Sequence, residues 1–434
     1  MFVTSLVPVR LTAPRRLTAA VAAGLLACTL GAAPAAAAPR ACLDPAASLL
    51  VEEQRLTGAD GQPAAVPQEI LDRSGFDRFS PAFTRALCAA PSRAAAERAV
   101  TSAGRLLWTT AVNRVQGRGP AGGDLSRDDD RPLYWSRLQL TRTLRQWTPR
   151  FAITPAQRAD LIWSLERASR GQRDISFGHQ PGVKRILVSG FDPFTLDSDI
   201  RRSNPSGATA LYLDGAIVRT PSGPARIETV TFPVLWTPFE QGMVEQTFLP
   251  HLRPGPNQVD AFSTVSQGRP EAFDIERYNG RWHTGPDNNR ETRATTIPIP
   301  AGVPTVTPAP EFVPTTLPYA RIVAAPTGRF PVRDNTSVTE IPAGGTTPVV
   351  QPNGPTPGSV ARAGGGGSYL SNESAYRTTL LRDAVRARIP GGHIHTPVLL
   401  FAPDNTSEVT DPVQVRNRID IRNQVRAIVT IVAS

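Results

Sequence analysis

Residues 184–190 read KRILVSG, a short apolar run that stops at a glycine. Such a run, too short for an ordinary helix and closed by a turn residue, predicts a buried strand. Two more strand candidates follow, Ile227 to Val234 and Val259 to Val265. Helical patterns lie between the three, at Pro205 to Tyr212 and Pro238 to Phe248. Strands that alternate with helices predict an α/β fold: a three-layer sandwich in which helices cover both faces of a mostly parallel sheet. In sheets of this kind ligands bind at the carboxyl ends of the strands.

Further along, proline and threonine are frequent from about 290 to 360, with no sustained periodicity. This stretch predicts a long exposed insertion without regular structure. Gly364 to Gly367 then gives four glycines before a helix over about Glu373 to Arg388. A strand is expected at His395 to Phe401, and Asp411-Pro412 begins a final amphipathic helix.

Upstream of the first strand the character changes. From about Leu49 to Gly171 alanine, leucine and arginine dominate in a helical pattern. Ser92 and Thr154 stand as N-caps, with Pro155 suited to a first helical turn. Trp108, Trp135, Trp147 and Trp163 are four of the six tryptophans, and their plain reading is the core of a helical bundle. No motif there carries chemistry. The expected organisation is a signal segment over 1–38, a helical domain over 40–180 and an α/β domain over 183–434.

Arg10, Arg15 and Arg16 precede the apolar run Leu17 to Leu30, and Ala35 to Ala38 offers a cleavage site. This is the pattern of an export signal. The apolar run is too short to span a membrane permanently, so no transmembrane segment is expected in the mature chain. Free secretion is the expectation. Leu25-Leu26-Ala27-Cys28 resembles a lipid-attachment site, and anchoring through Cys28 is the minor alternative. Once Cys28 leaves with the signal, Cys42 and Cys88 remain as a candidate disulfide in an oxidising compartment; two buried free thiols are the alternative. The net charge is +10, but the arginines are scattered and Lys184 is the only lysine. That pattern reads as genomic composition, and no nucleic-acid partner is expected.

Three separated segments carry chemistry. The first is Ile186 to Phe194, ILVSGFDPF, followed by Asn204-Pro205-Ser206. The second is Asp274 to Asn279, DIERYN, followed by Pro286-Asp287-Asn288. The third is Ser368 to Asn372, SYLSN, followed by Gly392 to Pro397, GHIHTP. Together with Thr315 to Pro318, TTLP, they resemble the pyroglutamyl peptidase I family in order and spacing over residues 183–432. The helical half lies outside the resemblance.

The resemblance implies an omega-peptidase hydrolase that needs no cofactor and removes an N-terminal pyroglutamyl group from a peptide or small molecule. By position it makes His395 the catalytic histidine, Glu276 the acid that orients it, and Phe191 and Phe194 the rings that hold the flat lactam. Ser371 falls where the family carries its nucleophilic cysteine. A serine must lose its proton during attack, so its base has to be well placed. The Pro-rich stretch is a second departure, because it replaces a family helix.

Plainer readings stand beside these. Phe191 and Phe194 are core, Glu276 pairs with Arg277 at the surface, and Ser371 is a helix N-cap. Ser374, one turn on, is a fallback nucleophile. His393 and His395 at i, i+2 share a strand face, but no further ligands follow and no metal is expected. Two functions from other classes remain open. One is an inactive binding protein that keeps the pyroglutamyl pocket, and the other is a structural module of the cell envelope. The oligomeric state is left unassigned.

Overall fold

The computed structural model describes residues 41–58, 65–178 and 180–434. The expected signal over 1–38, Cys28 included, lies outside the described residues. The helical region holds α1 (Val51–Gln54), α2 (Ala65–Asp72), α3 (Phe79–Ala89), α4 (Arg93–Val115), α5 (Arg131–Gln146) and α6 (Pro155–Ala168). Ser92 caps α4 by accepting the Ala95 N–H, and Thr154 with Gln157 forms a capping box on α6. Both caps satisfy N–H groups that a helix start leaves over. Trp108, Trp135 and Trp147 are buried in the bundle core. Trp163 differs: it is half-buried and packs toward the cluster of Phe191 and Trp236. The bundle core also takes in Leu196, Ile200, Leu211 and Val409, so the helices share apolar contacts with the α/β part. A Cys42–Cys88 disulfide is present.

The α/β part runs β1 (Lys184–Phe191), α7 (Pro205–Leu213), β2 (Ile217–Thr220), β3 (Gly223–Phe232), α8 (Trp236–Glu240), α9 (Met243–Leu252), β4 (Ala261–Gln267) and β5 (Phe273–Glu276). It continues through β6 (Tyr278–Gly280), β7 (Trp282–Pro286), β8 (Thr292–Thr296), β9 (Phe312–Pro314), α10 (Tyr319–Ala324) and β10 (Val332–Asn335). It ends with β11 (Val338–Ile341), β12 (Val349–Gln351), β13 (Val360–Ala363), α11 (Leu370–Ala384), β14 (Gly391–Thr396) and α12 (Pro412–Val432). The main sheet has the order β10-β5-β14-β4-β1-β3-β2. β3, β1, β4 and β14 are parallel to their neighbours, whereas β5 and β2 join them antiparallel.

β1 shows why Ile186 to Val188 is continuously apolar. Ile186 and Val188 join a cluster with Ile421, Val425 and Ile428 of α12, while Leu187 and Phe191 join another with Phe248 of α9 and Leu381 of α11. A strand buried on both faces has no polar alternation, and each large apolar side chain so buried contributes about 1.5–3 kcal/mol.

Three expectations need correction. The helix over 238–248 is two, α8 and α9, broken at Gly242 with φ +79°. The strand expected at 395–401 lies earlier, at Gly391–Thr396, because Pro397 has no N–H for the ladder. The Pro-rich stretch is not irregular throughout. It supplies β10 to the main sheet and a separate three-stranded sheet, β12-β11-β13. Those strands have three or four residues each and are half-exposed, too short to show a period.

No helix among the described residues is long and apolar enough to cross a membrane. Several buried carboxyls titrate high. Burial, with Asp192 nearby, pushes the Glu52 carboxyl up to about 7, against hydrogen bonds from Asn288 and Tyr134. Its folded pKa exceeds the unfolded one. The associated stability is therefore fully present below pH 4.5 and is lost as pH rises through about 7. Unfolding free energy in urea should fall between pH 5.5 and pH 8, by on the order of 1–3 kcal/mol from this group, and Glu52→Gln should flatten the slope. A slope that Glu52→Gln leaves untouched would show that the group does not titrate there.

Candidate functional site

Glu276 closes β5, His395 sits near the end of β14, and Ser371 is the second residue of α11. β14 and β5 pair antiparallel with His393 opposite Glu276 and His395 opposite Asp274. Side chains directly opposite share a face, so Glu276 and His395 are diagonal neighbours. His395 Nδ1 lies 2.7 Å from Glu276 Oε1, and both residues are buried. This commits Nδ1 to the carboxylate and leaves Nε2 for proton transfer. Glu276 does not pair with Arg277, which instead meets Asp334 at 3.1 Å and stacks on Tyr319.

His393 has a different role. Its Nδ1 is 2.7 Å from Thr264 Oγ1 and its Nε2 is 2.9 Å from Ser266 Oγ. Burial, and secondarily His395, holds its pKa well below the usual value, so the ring is neutral. The two imidazoles meet edge-on at 4.5 Å.

The tetraglycine turn wraps this pair. A Cβ on Gly365 would strike Glu276 Oε2, and one on Gly366 would lie 2.7 Å from His395 Cε1. Only glycine permits that approach. The turn leads directly into α11, whose N-cap position is Tyr369, with no side-chain cap. Ser371 is therefore not the cap. Its hydroxyl donates to Gly366 O at 3.3 Å and makes no hydrogen bond to His395. The first intrahelical bond of α11 is Glu373 N–H to Tyr369 O, so the N–H groups before it are not spent on the helix ladder and lie at its positive end. Ser374 is fully buried and donates to Ser371 O.

A small cavity of about 30 Å³ is lined by Phe191, Phe194, Ser266, Tyr369, Leu370 and Ser371, among others. Phe191 is also core: it is 4% exposed and stacks on Phe239 at 6.2 Å. Both of its readings therefore hold together. Phe194 and Tyr369, 6.2 Å apart, are shared with a larger cleft of about 510 Å³. The small cavity has room for a few waters.

Two positioning residues escaped the sequence reading. Asn335 of β10 donates to Glu276 Oε2 at 2.7 Å and to Gly365 O at 3.0 Å. It lay in the stretch read as irregular, and nothing local marked it. Asn372, beside Ser371, accepts the Gly280 N–H and donates to Gly280 O, each at 2.8 Å. That double bond ties the start of α11 to β6. Glu373 follows, accepting from Arg377 at 2.7 Å and meeting His283 Nδ1 at 2.5 Å. Burial raises its pKa, but Arg377 and His283 outweigh that and hold it below the usual range.

Comparison with known proteins adds the following. Residues 33–166 match the PA0049 N-terminal domain, and residues 185–322 and 329–400 match the PA0049 C-terminal domain. A Pseudomonas aeruginosa protein, described as uncharacterized protein PA0049, is 39% identical over 453 residues, covering 81% of each chain. Two solved structures of pyroglutamyl peptidase I from Bacillus amyloliquefaciens are 21% identical to this chain. One covers 58% of this chain and 95% of its own, with a TM-score of 0.37; the other covers 56% and 97%, with 0.34. So weak a likeness carries no argument about activity.

Proposed function

The chain belongs to the PA0049 family, and we propose that its α/β half is an exported hydrolase removing an N-terminal pyroglutamyl or similar cyclic acyl group. The observation that carries this reading is the buried His395–Glu276 pair, joined through Gly366 to Ser371 at an aromatic cavity. Phe191 and Phe194 take the faces of the acyl ring. Attack begins when the Ser371 hydroxyl turns from Gly366 O to His395 Nε2. The oxygen adds to the scissile carbonyl as its proton passes to the imidazole, and Glu276 stabilises the imidazolium. The first-turn N–H groups of α11 receive the oxyanion. His395 returns the proton to the leaving amine, and water then hydrolyses the acyl-serine by the same route. No cofactor takes part. Export is supported by the disulfide, which belongs to an oxidising compartment, and by the signal-like N-terminus.

One observation favours a second reading. The Ser371 hydroxyl is engaged with Gly366 O instead of His395, as expected of a binding protein that keeps the pocket without the chemistry. The test is release from a pyroglutamyl fluorogenic amide by the native chain, Ser371→Ala and Ser371→Cys. The hydrolase reading expects release that Ser371→Ala abolishes. A silent native chain, with release appearing in Ser371→Cys, decides for the binding protein.

A further inference from the structure

The turn that carries Phe191 and Phe194 is held from outside the α/β part. Between the two rings stands Asp192, 4% exposed. Its carboxylate takes Arg137 Nη1 of α5 at 2.9 and 2.8 Å and Arg170 Nη1, just beyond α6, at 2.5 Å. Both guanidiniums are buried. Arg137 is itself fixed by Ser169, and Arg170 by Glu166. The next carbonyl, Pro193 O, accepts Asn288 Nδ2 at 2.9 Å. The same amide donates to Glu52 Oε1 of α1 at 3.0 Å, and Tyr134 of α5 donates to that oxygen at 2.8 Å. Arg55 closes the group by donating to Asn288 O at 2.6 Å.

Four side chains of the helical region, Arg137, Arg170, Glu52 and Arg55, thus converge on the turn or on the asparagine that holds it, and Tyr134 holds Glu52. A buried ion pair is poor value for stability compared with apolar packing, but it fixes geometry when every partner is satisfied. A fork of two guanidiniums on one carboxylate leaves a turn little freedom. The small aromatic cavity has no lining residue from the helical region, and in the adjoining cleft that region supplies only Arg55, so Arg137, Arg170 and Glu52 act through the turn and not on the ligand.

We infer that residues of the helical region, Arg137 and Arg170 through Asp192 and Glu52 through Asn288, are positioning residues that set the acyl pocket. The helical region is then a brace for substrate recognition, a role that no chemistry-bearing motif within it would reveal. The inference rests on the pocket being the acyl site.

Arg137→Lys keeps the charge but has one nitrogen, which cannot bond Asp192 and Ser169 at once as the guanidinium does through Nη1, Nε and Nη2. Asn288→Ser removes the amide from Pro193 O without changing any charge, and serves if Arg137→Lys does not fold. Each is compared with the native chain by turnover of the pyroglutamyl amide and by hydrogen exchange of the 190–196 segment. The brace expects KM to rise about tenfold for Arg137→Lys with kcat within about twofold, because ring binding is lost before the chemistry. It also expects faster exchange in 190–196 with β14 unchanged. Folded variants whose exchange in that segment matches the native chain overturn the brace, whatever the kinetics. If neither the native chain nor Ser371→Cys turns over the amide, the hydrolase reading fails, and exchange alone decides the brace.

Discussion

Replacing His395 with alanine is expected to lower kcat/KM on a pyroglutamyl amide by about 1,000-fold or more, with KM changed little. The imidazole is paired with the buried Glu276 carboxylate at 2.7 Å, and a Cβ on Gly366, whose carbonyl accepts the Ser371 hydroxyl, would lie 2.7 Å from His395 Cε1. Serine differs here from a thiol, because it has no resident anion and needs the base in the transition state. Glu276→Gln tests the same pair from the other side. An amide presents either a donor or a weaker acceptor to Nδ1, so the tautomer that leaves Nε2 free loses its support. The expected loss in kcat is about 100-fold or more. Asn335 remains to hold the new amide, which keeps the turn at Gly365 in place. Stopped assays on purified variants, with thermal midpoints as the folding control, check both. If His395→Ala retains more than a tenth of the native rate, another base does the work and the assignment falls.

Removing the disulfide by Cys42→Ser with Cys88→Ser is expected to cost about 4 kcal/mol in the chain-entropy account of a closed loop this long. The bond spans 46 positions and encloses α1, α2 and most of α3. Cys42 is also tied to the bundle, since Thr148 N–H donates to Cys42 O and Asp44 N–H to Gln146 O. These contacts anchor the strand of chain that leads into Glu52 and Arg55. The double variant should therefore unfold at lower urea while keeping its rate in native buffer at 25 °C. Equal urea midpoints for the two chains would mean that packing already closes the loop.

Local signals in this chain were read correctly where the physics is local. Ser92, Thr154-Pro155 and Asp411-Pro412 mark helix starts because a cap needs only the next three residues. KRILVSG marks a strand buried on both sides because Ile186, Leu187 and Val188 follow one another with no polar alternation. The helix split at Gly242 and the strand that stops before Pro397 were legible in principle, since glycine at positive φ and proline without an N–H both break a ladder. The three- and four-residue strands of 338–363 were not, because so few residues hold no period.

The site divides in the same way. The resemblance of four short segments to the pyroglutamyl peptidase I family brought Glu276, His395 and Ser371 into view as candidates, together with Phe191 and Phe194, and the sequence by itself went that far. Which partner each meets was decided only by the fold. Glu276 and His395 stand 119 positions apart, and their bond depends on the antiparallel register of β5 with β14. The parallel register of β14 with β4 gives His393 to the hydroxyls of Thr264 and Ser266, and His395 takes the carboxylate. Asn335 reaches Glu276 only because β10 lies beside β5. The direction of the Ser371 hydroxyl, and the grip of Arg137 and Arg170 on Asp192, likewise come from packing between distant elements. Hydrogen bonds act over about 3 Å, and no pattern along the chain records which distant atoms folding will bring that close.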